Sequence, residues 1–209
     1  ELTQEDINES EGVDFKLKNS NLYFNGSYQG VLSENWSLLS GASFTHAKNN
    51  LDIIESDISN TENSFHAKTV LKRRFNNQLK LNFGAEYFAT NFNESFEDTE
   101  TSETSYGFDN NIVGTFVEAD VVFSKDLALK AGVRAEYNAI FDQSTVSPRL
   151  SVAYKTSSNS QVSLAYGDFY QQPNSDILKF TQDVESQKTS HYIFNYQYNA
   201  DGRIFRAEA

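Results

Sequence analysis

Long segments of alternating apolar and polar residues constrain this chain more than any other feature of its sequence. Between residues 127 and 141 every odd-numbered residue is apolar, and the other positions include Lys130, Arg134 and Glu136. Side chains alternate faces along a β-strand, so this segment predicts a strand with one apolar and one charged face. Fifteen residues would extend roughly 50 Å, whereas strands of soluble proteins usually stop after five or six residues.

Composition agrees with a single all-β domain. The chain has 209 residues, with 17 Phe and 11 Tyr but only 2 Pro. Aromatic residues favour strands, and proline would interrupt a hydrogen-bonded ladder. Cysteine is absent, which excludes disulfides and thiolate sites. Acidic residues outnumber basic ones 29 to 17, and this balance argues against a nucleic-acid partner.

The alternation recurs in about ten segments, which pair into hairpins through short turns rich in Asn, Asp, Ser and Gly. The predicted hairpins are 22–32 with 36–47, 64–75 with 79–91, 111–123 with 127–141, 146–155 with 161–170, and 190–198 with 203–209. Three of the intervening connections, 48–63, 92–110 and 171–189, are predicted to be long polar loops, and 142–145 is the short exception.

These features predict an all-β fold: an antiparallel up-and-down meander of about ten long strands that forms a segment of a transmembrane β-barrel. Short turns at one end and long loops at the other are typical of the periplasmic and extracellular ends of an outer-membrane barrel. A soluble antiparallel sheet also alternates, but strand length and loop asymmetry favour the membrane. No run of 18 apolar residues occurs, so no transmembrane helix is predicted.

Four segments of the second half resemble the barrel of TonB-dependent outer-membrane receptors, of the kind common in Bacteroidota. They read SPRLSVAYK at 147–155, SLAYGDFYQQP at 163–173, SHYIFNYQY at 190–198 and RIFRAEA at 203–209. The resemblance begins at about residue 111; the first half agrees with it only in its alternation and turns.

The resemblance implies a 22-stranded barrel in a Gram-negative outer membrane, closed by a plug domain. Such a receptor takes up a scarce small nutrient (a siderophore, cobalamin or an oligosaccharide) with energy from the TonB complex. Its partners would be outer-membrane lipid, the plug and that complex. We expect residues 1–209 to form one partial β-barrel domain, a mid-barrel fragment without plug, TonB box or final strands. Open edge strands would favour self-association of the isolated piece.

No catalytic pattern stands out, and we expect neither enzymatic activity nor a cofactor. The three histidines are scattered, and alternation predicts that His46 and His66 lie on opposite faces, which argues against a shared metal site. No Gly-rich phosphate loop, G-x-S-x-G or H-E-x-x-H motif is present.

The charged face supplies the first candidate site. A large barrel can hold charges inside because its interior is wet or packed against a polar plug. We expect some of these charged residues to contact the plug, with Arg134 and Glu136 as the foremost candidates. The alternative is that neighbouring strands neutralise each other, with Glu118 and Arg134 as cross-strand neighbours. The candidate lumen residues are Glu118, Lys130, Arg134, Glu136 and Arg149, on a face that also carries Lys68, Lys72, Arg74, Glu86, Asp120 and Lys155.

The predicted loops supply the second candidate site. Glu94, Glu97 and Asp98 belong to an acidic segment that would bind a cationic ligand or divalent ions at the cell surface, since carboxylates are ligands for hard cations. The alternative is a solvated loop whose charge maintains solubility. Gln171 and Gln172 are placed to contact ligand at the rim.

Two other functional classes stay open at this stage. One is a complete small outer-membrane barrel with an adhesin or structural role. The other is a soluble β-rich module that binds carbohydrate, in which the aromatic residues form a core or stack against sugars.

Overall fold

The computed structural model describes residues 2–4, 15–53, 56–98, 101–200 and 202–209. Within this part the chain forms eleven strands and one short helix. No helix there is long and apolar enough to cross a membrane. The elements are β1 (Leu2–Gln4), β2 (Phe15–Ser33), β3 (Trp36–Ile53), β4 (Ser56–Arg74), β5 (Leu79–Asp98), β6 (Thr101–Val122), β7 (Leu127–Asn138), β8 (Gln143–Lys155), β9 (Ser160–Gln171), α1 (Ser175–Leu178), β10 (Gln187–Ala200) and β11 (Arg203–Glu208).

All eleven strands belong to one sheet, in which each strand pairs with its neighbours in sequence order. Every pairing is antiparallel, so the predicted up-and-down meander of about ten long strands is confirmed. Short polar turns close the hairpins at one end, hereafter the short-turn end. The Asn76 side chain, for example, accepts hydrogen bonds from the backbone N–H groups of Gln78 and Leu79.

Two of the three predicted long loops are wrong. Strands β3 and β4 pair as far as Ile53 and Ser56, and β5 and β6 pair as far as Asp98 and Thr101. Most of 48–63 and 92–110 is therefore strand. The alternation fades there because the row that continues the apolar face turns polar and apolar residues such as Phe92 and Phe108 occur in the charged-face row, but the backbone ladder continues. The prediction for 171–189 agrees better, since β9 ends at Gln171 and β10 begins at Gln187. The strand predicted to reach residue 141 ends at Asn138.

The register divides the sheet into the two predicted faces. Val117 lies opposite Phe83 on one side and Val133 on the other, so the apolar rows of β5, β6 and β7 share one face. On the strands from β3 to β10 this apolar face is mostly hydrophobic for about ten residues from the short-turn end. At the strand tilt usual in barrels, ten residues correspond to roughly 25 Å, the height of an outer-membrane apolar band.

Polar side chains replace the apolar ones immediately beyond this band. His46, Asn63, Asn91 and Asp109 lie in one cross-strand row of the apolar face. Hydrogen bonds of 2.7, 3.4 and 2.8 Å join them in that order. His66 lies on the other face, stacked on a phenylalanine, so the two histidines face opposite ways as predicted.

A buried apolar cluster lies on the charged face, at the end opposite the short turns. Leu178 of α1 is 1% exposed and packs with Phe92 of β5 and Phe108 of β6. The segment between β9 and β10, residues 172–186, therefore folds back over the sheet.

Candidate functional site

The register brings the charged side chains together on one face, as the alternation predicts. Lys68, Glu86 and Glu136 lie in one cross-strand row, and Gly114 occupies the β6 position between the two glutamates. Arg134 is two residues from Glu136 on β7, on the same face. This row crosses four strands near the middle of the charged face.

Glu86 is the centre of the strongest charge network on this face. Its side chain is 9% exposed and accepts from Lys68 Nζ at 2.5 Å and from Arg134 Nη1. Arg134 also donates to Glu136 Oε2 from Nε at 3.0 Å and from Nη2 at 2.7 Å. Two cations thus meet two carboxylates. Hydrogen bonds between charged groups are shorter and stronger than those between neutral groups.

Gly114 leaves space for this network. Its position has no side chain, and a Cβ there would lie 2.5 Å from Nη2 of Arg134. The guanidinium therefore crosses above the glycine to reach Glu86 on the far strand. This glycine thus contributes space for the guanidinium group of Arg134, and not an unusual backbone conformation.

A second network involves Glu118, Asp120 and Lys130. Lys130 Nζ lies 2.9 Å from Glu118 and 3.4 Å from Asp120, and Asn82 donates to Glu118 at 3.2 Å. Glu118 and Arg134, which the alternative interpretation paired across strands, are not directly opposite each other.

The register explains this difference. Glu118 lies opposite Gly132, whereas Arg134 lies opposite Phe116. Neutralisation by neighbouring strands does occur, but Arg134 takes its partners from β5 and from its own strand. Arg149 holds its guanidinium 4.7 Å from the ring centroid of Phe169, a cation–π contact on the same face.

At the other end of the charged face, segment 172–186 is fastened to three strands. The Gln172 side-chain oxygen accepts from Asn110 at 2.8 Å and from Asn138 at 3.4 Å. These two asparagines are only 3% and 5% exposed. Lys179 forms an ion pair of 2.7 Å with Glu94, with both side chains about seven-eighths buried.

The other members of the second candidate site lie close by. Gln171 is the last residue of β9 and pairs with Gln187, while exposed Glu97 and neighbouring Asp98 are near the end of β5. The five candidates therefore belong to the same end of the wall. Within the described ranges, no group of three or more histidine and acidic residues is arranged to hold a metal ion.

Sequence reasoning missed the aromatic contacts of this segment. Phe180 is 63% exposed and meets Tyr106 edge-on at 4.8 Å, with Lys179 Nζ 5.0 Å from its ring centroid. Nothing in the local pattern signals these contacts, because the segment does not alternate and its partners are 70 to 90 positions away in the chain.

On the apolar face, tyrosines lie at the edge of the apolar band that is farther from the short turns. Tyr137 donates to Asp142 and Tyr166 to Asp168, each at 2.9 Å, so each ring lies in the band while its hydroxyl reaches the polar zone. Aromatic girdles of this kind flank the lipid-facing band of outer-membrane barrels. A long antiparallel meander with one apolar and one charged face defines the class: a wall segment of a transmembrane β-barrel.

Comparison with known proteins identifies the family. The model of the TonB-dependent receptor-like β-barrel matches residues 3–203. The chain belongs to this family, as its second half suggests, and this sets aside the soluble carbohydrate-binding module. No curated protein sequence matches the chain.

Solved structures of this kind share the fold at low sequence identity. The outer membrane transporter YddB from Escherichia coli has a TM-score of 0.78 and 13% identity, over 94% of this chain and 34% of its own. The alcaligin outer membrane receptor FauA from Bordetella pertussis has a TM-score of 0.72 and 12% identity, over 94% of this chain and 36% of its own. For the siderophore receptor PiuA from Acinetobacter baumannii the TM-score is 0.67 and the identity 12%, over 94% of this chain and 40% of the PiuA chain. The chain therefore spans little more than a third of each structure.

Proposed function

We propose that this chain forms part of the wall of an outer-membrane receptor that imports a scarce nutrient with energy from the TonB complex. The observation that carries the proposal is the division of one continuous sheet into an apolar face and a face of paired charges. In this arrangement the apolar face contacts outer-membrane lipid, and the charged face lines the lumen.

The energetics of the two faces support this orientation. Exposed apolar side chains such as Val113, Val133 and Leu150 cover the apolar face, and in water they would form a patch much larger than soluble monomers tolerate. Contact with lipid removes the free-energy cost of exposing this patch to water. The buried ionic network around Glu86 would in turn be unfavourable against hydrocarbon but is stable next to a wet or polar interior.

The lumen residues are proposed to contact the plug domain. Glu136 and Lys130 keep 26% and 52% of their side chains exposed although both have partners in the wall. They can therefore exchange a wall contact for a contact with an inserted domain. Arg134, at 18% exposure, links Glu136 to Glu86. A change of partner at Glu136 would therefore also alter the contact at Glu86, two strands away. Glu118 and Arg149 extend the same face.

The ligand is proposed to approach at the end where segment 172–186 covers the wall. Glu97 is exposed there with Asp98 beside it, Glu94 binds Lys179 of the segment, and Gln171 and Gln172 lie where the segment leaves β9. Of the similar structures, PiuA is a siderophore receptor and FauA a receptor for alcaligin. Since neither face selects one nutrient, the proposed substrates are a siderophore, cobalamin or an oligosaccharide.

Uptake by the complete product of the gene tests the proposal. The receptor would be produced in a Gram-negative host that lacks its own receptors for the three nutrient classes, with and without a functional TonB complex. We expect uptake of one radiolabelled class only when TonB is present. An assembled barrel that imports none of the three, or that imports equally well without TonB, would contradict the proposed function.

The variant Arg134→Ala tests the role of the lumen face. If Arg134 couples wall to plug, uptake falls although the barrel assembles normally, as judged by resistance to unfolding in cold detergent. Unchanged uptake by an assembled Arg134→Ala receptor would show that the network only holds the wall together. Lys125→Ala, in the turn between β6 and β7, is the matched control because it also removes one cation but lies outside the lumen face.

A further inference from the structure

Strands β8 and β9 pair along only part of their length. The ladder that starts at the short turn between them ends with Arg149 opposite Gly167. Beyond this pair both strands continue, β8 paired with β7 and β9 paired with β10. In the part of the chain that the structure describes, no register pair joins residues 143–148 to residues 168–171. This interval between the two strands is hereafter the seam.

A proline marks the point where the ladder stops. Pro148 is the first residue of β8 beyond the last pair, and proline has no N–H group to donate to a neighbouring strand. The seven pairs of the ladder cover most of the apolar band, so the seam begins inside the band and continues past it. In hydrocarbon, backbone polar groups need a partner in the protein or a wet cavity beside them. The seam therefore has to be covered.

Side chains cover the seam in place of a ladder. Ser147 of β8 is only 6% exposed, so the wall has no open hole there. On the inner side the guanidinium of Arg149 reaches across to Phe169 of β9, 4.7 Å from the ring centroid. At the far end the backbone N–H of Ser186 donates to the Gln143 side-chain oxygen at 3.1 Å. The two strands should separate here more readily than along the paired stretches on either side.

A groove on the apolar face leads up to the seam from the short-turn side. Its volume is about 420 Å³, and it begins at Leu150, the neighbour of Arg149. The side chains that line it on this face are apolar or aromatic: Leu150, Val152, Leu164, Tyr166, Tyr192 and Phe194. Leu164 and Tyr192 are 60% and 76% exposed. A groove with this lining, within the apolar band, suits a hydrocarbon chain.

A cavity lies behind the same strands on the charged face. It measures about 200 Å³, and Arg149, Phe169 and His191 belong to its lining. The rings of Phe169 and His191 are 5.0 Å apart. Leu150 and Tyr166 border both the cavity and the outer groove. The two spaces thus back onto the same part of β8 and β9, immediately below the point where these strands lose their pairing.

Arg149 is the cation at the seam that keeps its charge available. Among the described residues it forms no ion pair, and the Glu118 carboxylate, which also lines the cavity, is bound to Lys130 at 2.9 Å. On the outer face Asp168 is already paired with Lys188 at 2.8 Å. The group that complements Arg149 is therefore an anion, since a guanidinium binds carboxylate, sulfonate or phosphate oxygens with charged hydrogen bonds.

We propose that the seam binds a single-chain anionic amphiphile that enters from the outer leaflet. The hydrocarbon chain lies in the outer groove, and the head group passes between β8 and β9 and binds Arg149 on the inner side. A small anion would leave the groove unused, and a neutral hydrocarbon would leave Arg149 unpaired. The inference rests on the proposed function, because the groove faces lipid only in that orientation. It adds a lateral site and the chemical class of its ligand.

Photolabelling of the complete receptor in phospholipid vesicles tests the site. The probes are two forms of one long-chain alkyl sulfonate, with a diazirine either next to the head group or at the end of the chain. We expect saturable labelling of Phe169 or His191 by the first form and of Leu164 or Phe194 by the second. These pairs lie on opposite faces, so the ligand must cross the wall. Vesicle phospholipid is in large excess, so saturation also shows selection over the surrounding lipid.

Three outcomes would overturn the proposal. Labelling confined to the apolar face, or labelling that does not saturate, would mean ordinary contact with bulk lipid. Equal labelling of Phe169 or His191 by the alcohol of the same chain length would remove the role of the anionic head group. Loss of labelling in the presence of excess methanesulfonate, which has no chain, would mean that the site takes only a small anion.

Variants of the cation supply the second arm. In Arg149→Gln we expect the affinity for the sulfonate to fall about tenfold, a factor that corresponds to roughly 1.4 kcal/mol. Arg149→Lys should keep most of the affinity. Lys155→Gln is the matched control, because it removes one cation from the same face of the same strand outside the site. Unchanged affinity in Arg149→Gln would contradict the proposal, and Arg149→Met repeats the measurement if that receptor does not assemble.

The outcome can be separated from that of the proposed function. Labelling needs only the assembled receptor, whereas nutrient uptake also needs the TonB complex. A receptor that imports its nutrient but is not labelled on the inner side of the seam refutes this inference alone. Saturable labelling on both faces without TonB-dependent uptake refutes the proposed function and leaves the lateral site in place.

Discussion

Glu94 and Lys179 lie 85 positions apart in the sequence and form an ion pair of 2.7 Å between Oε1 and Nζ. Their side chains are 13% and 12% exposed. The pair fastens segment 172–186 to β5, four strands away from the strand that leads into it. A connection that the local pattern identifies only as a polar loop is thus packed against the charged face.

Breaking this pair should release the segment. Glu94→Gln leaves the ammonium group of Lys179 largely buried without its main partner, which typically costs about 3 kcal/mol. We expect the backbone amides of 175–186 to exchange with deuterium at least tenfold faster in the complete receptor, while β7 and β8 keep their protection. Asp176→Asn is the control, since that carboxylate is 80% exposed and 3.7 Å from Lys179. Unchanged exchange in Glu94→Gln would show that other contacts hold the segment.

The apolar anchor should contribute as much as the ion pair. Leu178 is 1% exposed between Phe92 and Phe108, and truncation of such a side chain to alanine costs about 2–5 kcal/mol. Leu178→Ala should therefore make the segment sensitive to limited proteolysis. Ile177→Ala, at a neighbour that is 46% exposed, should leave the cleavage rate close to that of the wild type. Equal rates in the two variants would contradict an anchoring role for Leu178.

Alternation predicts the faces of this sheet well because it depends only on strand geometry. Each charged-face residue named from the sequence, from Lys68 to Lys155, lies on that face in the structure. The pattern works where one side meets an apolar medium, and it fails where that condition ends. In residues 48–63 and 92–110 the row that continues the apolar face turns polar, while apolar residues such as Phe92 and Phe108 occur in the charged-face row, so the regular alternation is lost.

Partners across strands could not be predicted in the same way. The pairing of Arg134 with Glu86 depends on the register of three strands and on the space above Gly114. A shift of two residues would have placed Arg134 directly opposite Glu118. The fold-back of segment 172–186 is still less visible, since its contacts join residues far apart in the chain and involve no repeating pattern.

The Glu86 network should make a large contribution to stability. Glu86→Gln removes the carboxylate that Lys68 and Arg134 share. Arg134 keeps Glu136 as a partner and Lys68 is 41% exposed, so the loss of these charged hydrogen bonds should cost about 2 kcal/mol. We expect the assembled barrel to unfold at a lower temperature in detergent. The unfolding temperature is measured from the mobility shift that unfolding causes on electrophoresis. Glu97→Gln, at an exposed position of the same strand, removes the same charge and should have little effect. Equal shifts for the two variants would mean that net charge, and not the network, determines stability.

The assignment of the two faces can be tested at neighbouring residues of β8. Leu150 lies on the apolar face about halfway up the band and is 45% exposed, whereas Ser151 points to the charged face. Arginine on the lipid side near the bilayer midplane costs about 2–4 kcal/mol, while an arginine in a polar lumen is tolerated. We therefore expect Leu150→Arg to reduce the folded fraction of the complete receptor in phospholipid vesicles strongly and Ser151→Arg to reduce it little. The reverse order would mean that the apolar face is turned toward the barrel interior, and equal folding of both variants would argue that neither face contacts lipid.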